Sequence, residues 1–367
     1  MIDAEKKIRV CFIALKAYPI FNPEVESVFG GAEVDLYLLS TELAKDERFD
    51  VRFIVGNYGQ SDQEVRENVT LYKSIDVRKS YILQGHKIWQ AFRRADAQVY
   101  MHEACSLGTA LAAFFCKTHK RAFVYRTASS LEASGKHSGK LSVRKFFIQW
   151  TFRQANTFIV QNEQDAVNAL RTVKRTAKVI RNACRVYSIK TVRKSGVLWV
   201  GRSKPVKRPD LFIKLAKAFP DISFTMICQR SLDDDAYQSL VETARQIPNL
   251  EFLKRIPFQD VDHYFEQARI SVNTSDSEGF PNTFIQSCKA GTAILSLNVN
   301  PDGFLNKHNC GFCAEGDWQR FTGKLSEWIQ TDHAQSVGQN GLDYIQAHHD
   351  IATIIQQYKD IFANEAF

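Results

Sequence analysis

The 367-residue sequence predicts an α/β protein made of two doubly wound parallel-sheet domains facing a central cleft. Three observations carry this. Short apolar runs alternate with helical patterns along the chain, which implies parallel βαβ units. The alternation restarts near residues 183–195. The length suits two domains rather than one.

Each element has its own justification. IRVCFIAL at 8–15 is apolar almost without interruption, as a strand covered on both faces must be. Gly30-Gly31-Ala32-Glu33 then opens a helix, with Val34, Leu38, Leu39 and Leu43 at helical spacing. VRFIVG (51–56) is the next strand, KIWQAFRRA a helix and AQVYMH (97–102) a strand. LGTALAAFFCKT reads as helix, and RAFVYRT (121–127) and NTFIVQN (156–162) as strands. In the second half GVLWVGRS (196–203) is a strand and loop, and RPDLFIKLAKAF a helix. ISFTMIC (222–228), NLEFLK (249–254), ARISVNTS (268–275) and TAILSL (292–297) are strands, separated by DDDAYQSLVETARQ, FQDVDHYFEQA and a helix after Glu278. The final run LDYIQAHHDIATIIQQYKDIFAN reads as one helix crossing back onto the first half. The domains are therefore 1–185, completed by 350–367, and 186–349, each Rossmann-like.

Composition narrows the class. The hydrophobic fraction of 44% is ordinary for a globular protein. No run of eighteen apolar residues predicts a membrane span. MIDAEKKIRVCFIALK reads as a first strand rather than a signal peptide. Eight scattered cysteines fit a reducing, cytoplasmic setting. Cys310 and Cys313 form the one CxxC, with His308 nearby; half a zinc site, a redox pair and two buried thiols are the readings, and zinc lacks a second ligand pair.

The formal charge is +8, unevenly placed. Between 133 and 209 there are eighteen Lys/Arg against Glu163 and Asp165. Such a belt fits an anionic partner or a solvated basic surface. Within it, Lys136, Lys140, Arg144, Lys145 and Arg153 interleave with Leu141, Val143, Phe146, Phe147, Trp150 and Phe152. That pattern fits either peripheral contact of 136–153 with an anionic membrane or a helix packing its aromatics on the sheet.

The chemistry-bearing residues lie at strand ends. In SDSEGFPNTFIQSCKAG, Pro281 suits a first helical turn and leaves the N–H groups of 281–284 pointing outward, an anion-binding arrangement. Gly279 permits close backbone approach. Glu278, beside an anion, suits sugar hydroxyls better than phosphate. Gln286 follows eight residues later, roughly 80° around a helix, within reach of the other end of an elongated ligand. A helix cap with a surface amide is the bland reading. In VGRSKPVKRPD, Arg202 and Lys207 are two cations at a strand's carboxyl end, able to neutralise a departing diphosphate without a metal. No G-x-G-x-x-G follows a strand, which excludes a dinucleotide dehydrogenase. No carboxylate cluster predicts a magnesium site, and no nucleic-acid module pattern is present.

The order V-G-R-x-x-x-x-K-x-x-D, then S-x-x-E-G-F-P-N-T-F-x-Q, then A-G-T-A-I-L-S-L-N-V-N-P-D-G resembles retaining glycosyltransferases of family 4 (group 1) with the GT-B fold. Gly30-Gly31-Ala32-Glu33 resembles that family's first-domain glycine loop. The resemblance implies that Arg202 and Lys207 clamp the donor diphosphate and that Glu278 binds the transferred sugar. It implies donor contacts by Gly279, Phe280, Pro281, Asn282, Thr283 and Gln286, by the 300–303 loop and by Gly30 and Gly31. The family often has glutamate at Gln286. It commonly has a histidine where this chain has Ala128 or Ser129, so His102 and Arg126 become the acceptor-side candidates, with His102 also a catalytic one. A satisfied strand-end histidine is the other reading of His102. The implied activity is transfer of a sugar from a nucleotide-sugar to a glycan or lipid-linked acceptor, with retention, in cell-surface polysaccharide synthesis. No metal or cofactor, no nucleic acid and no obligate protein partner is implied. The alternative is a non-catalytic sugar-nucleotide or polyanion binder on the same scaffold.

Overall fold

The computed structural model describes residues 7–77, 79, 84–135, 143–186, 194–231 and 236–367. The chain divides into two compact units: Met1–Cys184 together with Ile351–Phe367, and Arg185–Asp350.

Unit 1 runs β1 (Ile8–Ile13), α1 (Tyr18–Phe21), α2 (Gly31–Leu43), β2 (Phe49–Val55), β3 (Gln63–Arg66), β4 (Val69–Lys73), α3 (Gly85–Ala95) and β5 (Val99–Glu103). It continues with α4 (Leu107–Thr118), β6 (Ala122–Arg126), α5 (Ser130–Ala133), α6 (Val143–Gln154), β7 (Thr157–Val160), α7 (Glu163–Thr172) and β8 (Lys178–Val179). The sheet order is β3-β4-β2-β1-β5-β6-β7-β8. Pairing is parallel except at β3–β4. The strand order reverses between β1 and β5, so loops leaving these neighbours diverge and open a crevice at their carboxyl ends. Val10, Cys11 and Phe12 are fully buried, as a central strand covered on both faces requires.

The β3–β4 hairpin has no counterpart among the expected strands. Its two turn residues, Glu67 (φ 49°) and Asn68 (φ 61°), are both left-handed, the turn that matches strand twist. The sequence carries no glycine there to announce it. The Tyr37 hydroxyl donates to Glu67 Oε1 at 2.7 Å and helps hold the strained residue.

Unit 2 runs β9 (Ser195–Arg202), α8 (Pro209–Ala218), β10 (Phe224–Gln229), α9 (Tyr237–Arg245), β11 (Leu250–Leu253), α10 (Val261–Gln267) and β12 (Ala268–Asn273). Then come α11 (Asn282–Lys289), β13 (Ala293–Ser296), α12 (Phe304–Lys307), β14 (Gly311–Cys313), α13 (Trp318–Gln330) and α14 (His333–His348). Its six strands are all parallel, ordered β11-β10-β9-β12-β13-β14. Here the order reverses between β9 and β12. Trp199, Phe212, Phe224, Met226, Leu295, Phe321, Leu325 and Trp328 fill one core layer. Gly201 has no space for a side chain: a Cβ would lie 2.7 Å from the Trp199 indole, two residues back on the same strand face.

The last helical run is two helices rather than one. α14 ends at His348, and α15 (Ile351–Glu365) starts where the chain passes back into unit 1. The break falls at His349, whose ring packs on Phe280 at 4.9 Å between centroids, inside unit 2. α15 packs against α2 and β1, with Phe362 edge-on to Phe12.

Candidate functional site

Arg202 is the last residue of β9, paired with Gln229 of β10. The chain then makes a 3₁₀ turn over Pro205–Lys207. Arg208 (φ 48°) redirects it into α8, with Pro209 at the first helical position. Thr274, just beyond β12, fastens this turn. Its hydroxyl lies 2.8 Å from the Lys207 carbonyl and 2.9 Å from that of Arg208, and it accepts from the Trp199 indole N–H at 3.0 Å. The Asp276 N–H donates to the Val206 carbonyl at 2.9 Å. The loops leaving β9 and β12 are therefore stitched together at the strand-order reversal of unit 2.

That stitching brings Lys207 onto Glu278. The Lys207 ammonium bonds Glu278 Oε2, and Asn273 Nδ2 donates to Glu278 Oε1 at 2.9 Å. Asn273 Oδ1 in turn accepts from the Ser275 N–H at 3.0 Å and so holds the loop. Burial would raise the Glu278 pKa. The Lys207 charge and hydrogen bonds from Lys207, Ser275 and Asn273 outweigh it and leave the carboxyl below its usual range. The carboxylate is thus ionised at neutral pH. The side chains of Glu278 and Lys207 are 12% and 25% exposed, so both keep a face that a ligand can reach.

The start of α11 differs in detail from the expectation. Pro281 is the residue before the helix, in extended conformation (φ −64°, ψ 130°). It has no N–H, and its carbonyl accepts from the Phe284 N–H at 2.9 Å. Pro281 has no N–H to offer and the Phe284 N–H is taken, so the 281–284 set expected from the sequence is not available as a whole. Glu278 lies in the loop before the helix, so an angle around the helix axis does not relate it to Gln286. Gln286 sits half-buried in the middle of α11. The Phe280 ring is buried against Phe304 and His349, so it is a core side chain rather than a donor contact. Gly279 is buried beside it. The 300–303 loop is a tight turn, with Asp302 (φ 52°) and Gly303 (φ 69°) left-handed and Asn300 Oδ1 accepting from the Leu305 N–H at 3.0 Å.

In unit 1 the glycine pair opens α2, with Gly30 preceding the helix and Gly31 beginning it. Glu33 folds back and accepts the Gly30 N–H at 2.7 Å, so this helix start already holds its own carboxylate. His102 is the last residue but one of β5, 9% exposed, with Nδ1 3.4 Å from Thr109 Oγ1. Burial lowers its pKa to about 4, against smaller opposing bonds to the Glu103 and Ala104 backbone, so it is neutral at pH 7. Arg126 ends β6 and is 1% exposed. It pairs with Glu103 at 2.8 Å and Asp35 at 3.2 Å and donates to Asn182 Oδ1 at 2.5 Å. Its guanidinium is the centre of a buried network rather than an open acceptor contact.

Sequence reasoning missed Glu132. This buried carboxylate accepts from the Tyr125 hydroxyl at 2.5 Å, the Ala128 N–H at 3.1 Å and the Cys105 N–H at 3.3 Å. It ties together the loops after β5 and β6, where Ala128 and Ser129 stand. Asn273 and Thr274 were missed too, because their partners lie about seventy residues away in sequence or are set by a turn.

Of the basic aromatic stretch, residues 136–142 lie outside the described residues, as do the side chains of Val143, Arg144, Lys145, Phe146 and Phe147 within α6. At its end Phe152 is buried against Tyr125 and Phe158 of the sheet, Trp150 is partly buried against the unit 1 core, and Arg153 is exposed. Cys310 and Cys313 are both buried thiols. Among the described residues, no group of three or more His, Cys, Asp or Glu is gathered as a metal site. No helix among them is long and apolar enough to cross a membrane.

The paired Rossmann-like sheets define a GT-B fold. Residues 189–343, most of unit 2, match the family described as glycosyl transferases group 1. No curated protein matches the chain. Among solved structures, sucrose-phosphate synthase from Thermosynechococcus elongatus aligns with a TM-score of 0.80 at 15% identity, over 98% of this chain and 99% of that one. WaaG, a glycosyltransferase involved in lipopolysaccharide biosynthesis, aligns at 0.70 and 12%, over 96% and 99%. An E. coli trehalose-6-phosphate structure bound with UDP-2-fluoro glucose aligns at 0.69 and 10%, over 96% and 98%.

Proposed function

We propose that the protein transfers a sugar from a nucleotide-sugar to a glycan or lipid-linked acceptor, with retention and without a metal. The carrying observation is the Lys207–Glu278 pair, held at the strand-order reversal of unit 2 inside the span that matches glycosyl transferases group 1. A neighbouring fold with a bound UDP-sugar analogue supports a nucleoside diphosphate sugar as donor. In this reading the ammonium of Lys207 and the guanidinium of Arg202 meet the diphosphate. The ionised Glu278, oriented by Asn273, accepts hydrogen bonds from the sugar. As the glycosidic C–O bond breaks, negative charge gathers on the leaving phosphate, where the Arg202 and Lys207 cations stabilise it. The leaving phosphate oxygen can take the acceptor hydroxyl's proton on the same face, so a neutral buried His102 is compatible with transfer. Family 4 membership, a role in surface polysaccharide synthesis and a cytoplasmic, peripherally membrane-bound location belong to the same proposal.

The test is thermal shift with UDP-, GDP- and ADP-sugars, with and without EDTA, followed by donor turnover. A ligand that binds only the native state raises the melting temperature by mass action. One selective donor, an EDTA-insensitive shift and turnover are expected. Glu278→Ala and Lys207→Ala should each lower turnover by at least about a hundredfold. Wild-type turnover in either variant overturns the site. A shift without turnover for any acceptor offered favours a non-catalytic nucleotide-sugar binder.

A further inference from the structure

Unit 1 holds an open surface depression of about 700 Å³ that the donor reading does not use. It lies beyond the carboxyl ends of β2 and β4, between Asn57, Ser74 and the exposed face of α3. Its lining carries four permanent cations, Lys73, Lys87, Arg93 and Arg94, against one carboxylate, Asp62. Asp62 is already engaged: Lys73 Nζ is 2.8 Å from it and Arg94 3.6 Å. Arg94 also donates to the Lys73 carbonyl at 2.6 Å, and Lys73 to the Gln60 carbonyl at 2.8 Å. These two cations are therefore held in place. Lys87 and Arg93, exposed on α3, have no hydrogen-bond or ion-pair partner among the described residues.

A solvated helix face explains this poorly. α3 has no acidic residue in its eleven positions, whereas ordinary surfaces intersperse both signs. Lys87 stands in the first turn, where the helix dipole disfavours a cation. The opposite face, Ile88, Ala91, Phe92 and Ala95, is buried and fixes which side of the helix lines the depression. Its neutral groups, including Asn57 and Gln90, suit hydroxyls.

We propose that this depression binds a phosphoryl group carried on a small polar ligand, with Lys87 and Arg93 contacting the phosphate oxygens and Lys73 and Arg94 positioned behind them. The site is independent of the donor reading. A phosphorylated carbohydrate and a phospholipid headgroup share the chemistry that would be recognised.

The probe is inorganic pyrophosphate, titrated calorimetrically into the full chain carrying Arg202→Ala and Lys207→Ala, which removes the cations of unit 2. Binding should persist in that background. Adding Lys87→Ala and Arg93→Ala should weaken it about tenfold or more, since charge-assisted bonds are lost. Lys117→Ala, on α4, should leave it unchanged. Phosphatidylglycerol vesicles form the second arm: co-sedimentation that depends on Lys87 and Arg93 assigns the phosphoryl group to lipid. Pyrophosphate binding that depends on them, without such sedimentation, assigns it to a soluble ligand. Absence of both dependences overturns the proposal, and so does an equal loss with Lys117→Ala, which marks general surface charge.

Discussion

His102 lies near the end of β5 and Glu278 in the loop between β12 and α11, and their surroundings drive these titratable groups to opposite states. His102 has a long contact to the Thr109 hydroxyl and bonds to the Glu103 and Ala104 backbone, and burial outweighs them and leaves it neutral down to a pKa of about 4. In the unfolded chain a histidine takes up its proton near pH 6.5. Between these values the unfolded state binds more protons, so stability falls as pH falls. The native state should lose about 2 kcal/mol between pH 7 and pH 5 through this residue. Denaturant unfolding of wild type and His102→Gln checks it: the variant should show a shallower loss, and equal slopes would refute the assignment. Glu278 lies the other way. Lys207 and Asn273 keep it charged, and Asn273 also orients it. Asn273→Ala should lower turnover about tenfold through the lost bond to the charged Glu278, and it should also lower the melting temperature, because the buried Ser275 N–H loses its acceptor. The charges of this site were legible as sequence types: Arg202, Lys207 and Glu278 stood out at strand ends. Asn273 and Thr274 did not, because an amide and a hydroxyl at a strand end look like ordinary turn formers until the β9 loop is laid against them.

At the scale of elements, periodicity revealed the long buried strands and amphipathic helices and hid whatever depended on two segments meeting. β1, β6 and β12 read clearly because central parallel strands must be apolar on both faces. The β3–β4 hairpin was hidden by a Glu67–Asn68 turn that uses a side-chain bond in place of glycine. The break between α14 and α15 was hidden because His349 sits in a run that is helical on both sides; its aromatic neighbours in unit 2 are remote in sequence. α14 shows what such contacts demand. A Cβ on Gly338 would lie 2.2 Å from the Gly291 carbonyl oxygen, a backbone atom in the turn between α11 and β13. Neither side can yield without shifting an element. Gly338→Ala should therefore destabilise unit 2 by about 3 kcal/mol or more, although alanine is the better helix former. Melting of the variant checks this; a raised melting temperature would show that α14 can slide away.

For the molecule as a whole, the decisive segment is α15, which is last in the chain but belongs to the first unit. Its buried face presents Ile351, Ile354, Ile355, Tyr358, Ile361 and Phe362. Lys359 pairs with Asp46 at 2.8 Å, and the Thr157 hydroxyl donates to Glu365 at 2.6 Å. Each large apolar side chain contributes roughly 1.5–3 kcal/mol on burial. Together the six are worth about 9–18 kcal/mol, comparable with the whole stability of an ordinary domain. Removing them also uncovers Phe12, on the central strand, and leaves the Arg126 network of unit 1 open on the side where Tyr358 now lies. The hydrophobic layer of unit 2 that holds Trp199, Phe212 and Trp328 is drawn from residues 197–337. Deletion of 351–367 should therefore unfold unit 1 and spare unit 2. Differential scanning calorimetry with limited proteolysis measures both: the truncated chain should keep one melting transition and yield a resistant fragment near 185–350. A truncated chain that retained the full unfolding enthalpy would show that the eight-stranded sheet closes its own core. If the donor reading holds, the surviving fragment should still be stabilised by the nucleoside diphosphate that the intact protein selects, because Arg202, Lys207 and Glu278 all lie within it.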